Sequence, residues 1–367
     1  MSIYLIIVAA VLILGAVMPQ EGRRRIWYIA LMTAVHAFVC AFRYQHLTGD
    51  LMKYHATFDM LSEVSWFSGE VYNKGRNFGF YFLQKLVADL TGDDFQMLLI
   101  FIAVVTHLIL GYMIYRYSTA PWLSFLVWNC MALYVFGFSA IKQALAMSVV
   151  MLSFIGIVKR RLGVYLVWMA IAGMIHAPSL IFLPAYWMVK MKVNGKTLLL
   201  YVALGVLLYV FKEQFVQFIS SFYYDEDEVF VFSGEIGNRF IMLLGFTMFG
   251  VMFRGFANRE YEKLFHLMMV ATILQMLAGF DNIFTRMSDY YFQFSVLYIP
   301  MTFAGEKKTG RRLAMKPWLP FNERSMKMFT ALIVVFMIWF YYTYTININM
   351  GVQVDDYTNF RFMWDVK

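Results

Sequence analysis

Five short polar clusters interrupt an otherwise apolar chain, and each carries a residue able to do chemistry. Arg43 opens the run Arg43-Tyr44-Gln45-His46-Leu47-Thr48-Gly49-Asp50, with Lys53 and Tyr54 just behind it. Lys142 and Gln143 follow Ser139-Ala140-Ile141, and His176 stands in Met174-Ile175-His176-Ala177-Pro178-Ser179. Arg239 closes Glu235-Ile236-Gly237-Asn238-Arg239, and Arg286 and Tyr290 lie in the stretch from Asp281 to Tyr291. Ionisable groups among apolar helices are costly unless they meet water, a partner or a ligand.

Lys142 is the clearest anion-binding candidate. The spacing predicts that Ser139 caps a new helix and that Lys142 falls in its first turn. A cation there opposes the helix dipole, and a bound phosphate would reverse that conflict. Arg286 is an isolated cation suited to bidentate recognition of phosphate or carboxylate; a bridge to Asp281 or Asp289 is the other reading. Arg43 reads either as a snorkelling interface anchor or as a third anion ligand. His176 precedes Ala177-Pro178, where one helix must stop and the next begin. A lone imidazole of this kind is either a satisfied core residue or a general base. Together these residues describe a pocket for a di-anionic headgroup beside a neutral polar molecule. A lipid-linked pyrophosphate sugar has that chemistry.

The elements that must position these groups are helices crossing a bilayer. The chain is 61% hydrophobic, and its apolar blocks reach the 17–25 residues needed to span. Twelve spans are expected, at about 2–18, 26–42, 95–115, 121–137, 139–158, 162–176, 177–189, 197–211, 240–253, 264–280, 290–304 and 328–345. Most of the 31 Lys and Arg fall in one set of loops, including Arg23-Arg24-Arg25, Lys159-Arg160-Arg161 and 305–327. The positive-inside rule makes those loops cytoplasmic and both termini extracytoplasmic. Residues 1–345 are thus expected as a single transmembrane domain, with outer loops 43–94, 212–239 and 281–289 and a tail 346–367. Most of the 23 Asp and Glu lie in these outer segments. Met52–Gly69 and Phe211–Phe222 carry apolar residues at helical intervals and predict amphipathic helices at the outer interface. The first span has no basic residues before it and reads as an anchor rather than a cleaved signal.

Other classes recede. The net charge of +8 is accounted for by the inner loops, so nucleic acid is not an expected partner. Cys40 and Cys130 both lie in apolar spans and make neither a disulfide framework nor a metal motif. Metal is therefore not expected at the site, and no phosphate-loop or dinucleotide fingerprint calls for a cofactor.

The ordered segments Arg43…Thr48-Gly49-Asp50…Tyr54, Asn77-Phe78-Gly79-Phe80, Ala140-Ile141-Lys142-Gln143-Ala144-Leu145-Ala146, Ile175-His176-Ala177-Pro178-Ser179-Leu180 and Arg286…Tyr290-Tyr291 resemble the EpsG branch of Wzy-type polysaccharide polymerases. The resemblance runs over about residues 1–300. It implies an all-α, GT-C-like enzyme of the bacterial inner membrane that works on the outer face without metal. Its substrates would be undecaprenyl-diphosphate-linked repeat units, joined into an exopolysaccharide, capsule or O-antigen, with a chain-length regulator as a further partner. In that scheme Lys142, Arg43, Arg239 and Arg286 hold the diphosphate. His176 or Asp50 takes the acceptor proton, and Gln143, Tyr54 and Tyr290 orient sugars. Two departures stand out: Lys142 replaces the family's Arg, and Asn77 stands where an acidic residue is common. A lipid-linked oligosaccharide transporter, a transferase using polyprenyl-monophosphate sugars (kept open by Asp50 and Asp59) and a glycan ligase or O-acyltransferase are the alternatives.

Overall fold

The computed structural model describes residues 3–18, 21–45, 49–72, 77–223, 237–253, 259–281, 283–304, 323–343 and 360–365. Among them every regular element is helical. In chain order the helices are α1 (Ile3–Val17), α2 (Gly22–Ala41), α3 (Gly49–Glu63), α4 (Gly69–Tyr72), α5 (Phe78–Thr91) and α6 (Phe95–Tyr117). There follow α7 (Pro121–Cys130), α8 (Leu133–Ser139), α9 (Ile141–Val158), α10 (Leu162–Ile175), α11 (Ala185–Met188) and α12 (Gly195–Val210). The chain ends with α13 (Lys212–Tyr223), α14 (Asn238–Phe253), α15 (Arg259–Met276), α16 (Ile283–Phe292), α17 (Ser295–Phe303) and α18 (Glu323–Phe340).

Apolar length alone qualifies fewer helices than twelve. Three of the described helices are long and apolar enough to cross a membrane: α6, α9 and the segment Arg324–Thr343. A fourth arises if α7 and α8, bent by 52° at their junction, count as one broken span. The expected spans 162–176 and 197–211 are helical but short: α10 has 14 residues and α12 has 16. At 1.5 Å per residue, such helices fall below a hydrocarbon core of about 30 Å. Both expected amphipathic helices are present, as α3 and α13. Besides the four-residue α4, two helices were not anticipated. One is α5, inside the expected outer loop; the other is α16, in what reads as a short link between spans.

Burial puts α9 and α16 at the centre of the bundle. Most of α9 is enclosed, and α10 packs along it. Gly156 permits that approach, since a Cβ there would lie 2.7 Å from the Tyr165 backbone nitrogen. Eight residues of α16 are buried, from Ile283 to Phe292. At the chain's far end, the segment 360–365 returns to α2. Tyr44 N–H donates to the Arg361 carbonyl at 2.9 Å, and Met363 N–H donates to the Phe42 carbonyl at 2.9 Å. Phe360 packs against Tyr4 and Phe138, and Phe362 and Trp364 stack on each other.

Candidate functional site

The site begins at the break between α8 and α9. Ser139 does not cap α9. It remains in α8, so Ala140 is the N-cap residue, and no side chain caps the helix. The first amides of α9 therefore keep the partial positive charge of an uncapped terminus. Ser139 Oγ instead lies 3.4 Å from the Asp50 carboxylate, which ties this break to the first turn of α3. Lys142 stands half-buried in the first turn of α9.

One position on, Gln143 is buried and its amide donates to the Arg286 carbonyl at 2.9 Å. That bond fixes α16 against the start of α9, so Gln143 is committed to a backbone contact. The Arg286 side chain is exposed, and its charge and that of Lys142 act on one another. Neither forms an ion pair among the described residues. The two acids that could have taken Arg286 are engaged elsewhere. Asp281 accepts from the Ile283 amide at 2.7 Å, and Asp289 is bridged to Arg239.

Arg239 thus lies beside the cluster with its charge already balanced, and its guanidinium sits 4.5 Å over the Phe292 ring. Burial pushes the Asp289 carboxyl up, while the nearby charges of Arg239 and, less strongly, Arg286 draw it back down.

His176 ends α10 in an extended conformation and opens the short 3-10 turn Ala177–Phe182, as the proline spacing predicts. Its Nδ1 is 2.5 Å from the Tyr290 hydroxyl, and the two rings stack. Lys142 and Arg286 both act electrostatically on this imidazole. The turn is braced from α5. Asn77 Oδ1 accepts the Ala177 N–H at 3.0 Å, and a Cβ on Gly79 would come within 2.9 Å of the Met174 carbonyl. Asn77-Phe78-Gly79 is therefore the element that fixes where His176 sits.

On α3, Tyr54 lies one turn beyond Asp50 and packs edge-on against Phe80. Burial raises its phenol well above the ordinary range; the Asp50 charge adds to this and Arg286 opposes it. Asp50, Tyr54, Lys142, Arg286, His176 and Tyr290 thus converge from α3, α9, α16 and the turn after α10.

Arg43 does not join them. It is 1% exposed, and its Nε donates to the Phe138 carbonyl at 3.2 Å. One terminal nitrogen donates to the Cys40 carbonyl, and the group faces a separate cavity with Thr106, His107 and Trp128. Lys53 is exposed on α3. Sequence reasoning passed over Ser139 as an Asp50 partner and Asn77 as a backbone cap. The only forward signal for either was a polar residue flanked by apolar helices. Among the described residues no three His, Cys, Asp or Glu side chains gather as a metal site.

Chemically, the cluster offers two cations at a helix N-terminus, a half-buried carboxylate and an imidazole held by a phenol. Such a set can bind a phosphate-type anion, stabilise charge on a leaving oxygen and accept a proton. The family model described as the EpsG family matches residues 26–359. No curated protein and no solved structure matches the chain.

Proposed function

Since the chain belongs to the EpsG family, we propose that it is an inner-membrane glycosyltransferase that polymerises undecaprenyl-diphosphate-linked oligosaccharide repeat units on the extracytoplasmic face. The family supports a polysaccharide-polymerase role, and the apolar helices fit a membrane protein. The geometry of the site supports the finer reading.

The observation that carries it is the pair Lys142 and Arg286. They are drawn together by the Gln143 bond to the Arg286 carbonyl, and neither is neutralised by a carboxylate bridge among the described residues. Two like charges held near one another call for an anion between them, and a diphosphate suits both the spacing of elements and the uncapped helix terminus. The site end of α9 lies opposite a basic cluster: Lys142 is in its first turn, and Lys159 caps its far end with Arg160 and Arg161 just beyond. That sidedness supports an outward-facing pocket.

In the reaction, a hydroxyl oxygen of one repeat unit attacks the anomeric carbon of the other chain. A glycosidic C–O bond forms as the C–O bond to the diphosphate breaks. The leaving diphosphate keeps the bonding electrons, and Lys142 and Arg286 stabilise its charge. Asp50 receives the hydroxyl proton. Its carboxylate is half-buried, and the one hydrogen bond it accepts among the described residues, from Ser139, is long at 3.4 Å. The Nδ1 of His176 is taken up by Tyr290, so the imidazole positions the acceptor and Tyr290 sets the ring. Tyr54 presents a protonated phenol to the sugars.

The test is a gel of glycans made when purified protein receives a polyprenyl-diphosphate-linked repeat unit and no nucleotide sugar. A ladder with steps of one repeat establishes the polymerase. Absence of a ladder, with lipid-linked sugar crossing liposomes instead, assigns the chain to transport.

A further inference from the structure

A second polar cluster lies within the bundle, away from the residues above. Arg43 is buried there, and no carboxylate pairs with it among the described residues. Its Nε and one terminal nitrogen are used on the carbonyls of Phe138 and Cys40, with the Cys40 sulfur 3.5 Å away. Backbone carbonyls satisfy N–H groups without neutralising charge. A buried, uncompensated ion is among the most expensive features a fold can carry.

Beside this guanidinium is a cavity of about 20 Å³, lined also by Thr106, His107 and Trp128 and otherwise mainly by apolar side chains such as Ile102 and Met147. Among the described residues, Thr106 Oγ1, Trp128 Nε1 and His107 Nε2 are each buried and without a hydrogen-bond partner. Two of these, with the remaining N–H groups of Arg43, are donors. His107 is the exception. Its Nδ1 lies 2.7 Å from the Ala103 carbonyl and must carry the proton, which leaves Nε2 as an acceptor. A single water needs roughly 10–15 Å³ by the same measure, so the space is that of one water or one small monatomic ion and is too small for a phosphate group.

We propose that this cavity binds one halide-sized anion, held by Arg43, the Trp128 N–H and the Thr106 hydroxyl, which neutralises the buried guanidinium. The site is independent of the proposed diphosphate pocket. Its structural effect falls on α8, because the same guanidinium holds the Phe138 carbonyl next to Ser139, where α9 begins.

Radiolabelled chloride binding to the purified full-length protein in detergent tests the proposal. The expected result is saturable binding of one ion per chain, displaced by bromide but not by inorganic phosphate. Arg43→Gln should weaken it at least tenfold, and the isosteric Thr106→Val several-fold. Lys142→Ala should leave it unchanged. His107→Phe should bind chloride as tightly or more tightly, because it removes the imidazole lone pair from the lining. Loss of binding in His107→Phe would instead make the imidazole the group that holds the ion and overturn the proposal. Absence of saturable binding, displacement by phosphate, or indifference to both Arg43→Gln and Thr106→Val would overturn it as well, the last marking an adventitious ion only.

Discussion

Arg286, on α16, and Arg239, which reaches that helix from α14, meet opposite fates. Arg239, at the start of α14, is bridged to Asp289 and stacked over Phe292, with only 26% of its side chain exposed. Arg286, one turn earlier on α16 than Asp289, projects into an exposed space with Lys142 as its electrostatic neighbour and no bridging acid among the described residues. Both were read from the sequence as diphosphate ligands. The difference teaches that a cation at a helix end becomes a ligand-binding group only when the surrounding acids have been engaged elsewhere. Asp289 and Asp281 are so engaged, and α16 thereby carries one structural ion pair and one available charge.

The largest expected effect tests the available charge. Lys142→Ala or Arg286→Ala should each reduce ladder formation about 10²–10³-fold, the scale seen when one preorganised charge-stabilising group is removed. That corresponds to roughly 3–4 kcal/mol at about 1.4 kcal/mol per tenfold. Thermal stability of the protein should be unchanged or slightly improved, since a like-charge repulsion is relieved. An unaltered product ladder from either variant would remove the basis for distinguishing the two arginines. Arg286→Lys should recover only part of the rate, because an ammonium cannot make the bidentate contact.

Asp50 offers the next largest effect. Asp50→Asn should lower turnover by about 10²-fold or more while leaving the affinity for lipid-linked donor nearly constant, as expected for a lost general base. If His176→Gln shows that split and Asp50→Asn does not, the proton goes to the imidazole. The two assignments are separated by turnover against binding, measured on the same substrate.

What the sequence made legible was local. Pro178 placed His176 between two helices, and the run after Ser139 placed Lys142 in a first turn. The apolar intervals of Met52–Gly69 and Phe211–Phe222 became α3 and α13. The cap assigned to Ser139 failed because α8 continues through it, a one-residue shift in a break with almost no loop. The helices α5 and α16 escaped notice for a physical reason. Their polar residues Gln84 and Lys85 in one and Thr285, Ser288 and Asp289 in the other are satisfied across the fold rather than by solvent. Lys85 reaches the Ser62 carbonyl, and Ser288 reaches the Ala271 carbonyl. Partners that distant in sequence cannot be read from spacing. The direction of Arg43 was hidden in the same way: a snorkelling arginine and an inward-folded one have the same flanking residues.

The structural arginine should give a smaller effect of a different kind. Arg239→Ala leaves Asp289 buried without its partner, which should cost about 1–3 kcal/mol after allowance for the partial exposure of Arg239. Asp289 already has its carboxyl raised by burial, and losing Arg239 raises it further. A raised carboxyl destabilises the fold above its folded pKa and not below the unfolded value. The variant should therefore unfold at a higher temperature near pH 5 than near pH 8, relative to wild type. Polymer length from the folded fraction should be preserved, and adding Asp289→Asn should restore most of the stability. A variant that stays stable but makes no ladder would turn Arg239 into a ligand and erase the contrast with Arg286.

The smallest effect sharpens the contrast from outside it, through the brace on His176. Asn77→Ala removes the acceptor for the Ala177 N–H and should cost about 1 kcal/mol, the usual value of a lost cap. Asn77→Asp keeps an acceptor oxygen at the same place and should restore the stability. If the brace acts only on the fold, turnover should recover with it. If the brace sets the imidazole for catalysis, the added carboxylate should alter the pH profile of turnover even when stability is normal. The comparison is informative because Lys142 and Arg286 already act on His176, and a new negative charge behind Ala177 changes the field at the imidazole without touching either cation. Gly79→Ala provides the geometric control: its methyl would press on the Met174 carbonyl and displace the whole turn, so stability and turnover should fall together in that variant and separate only in Asn77→Asp.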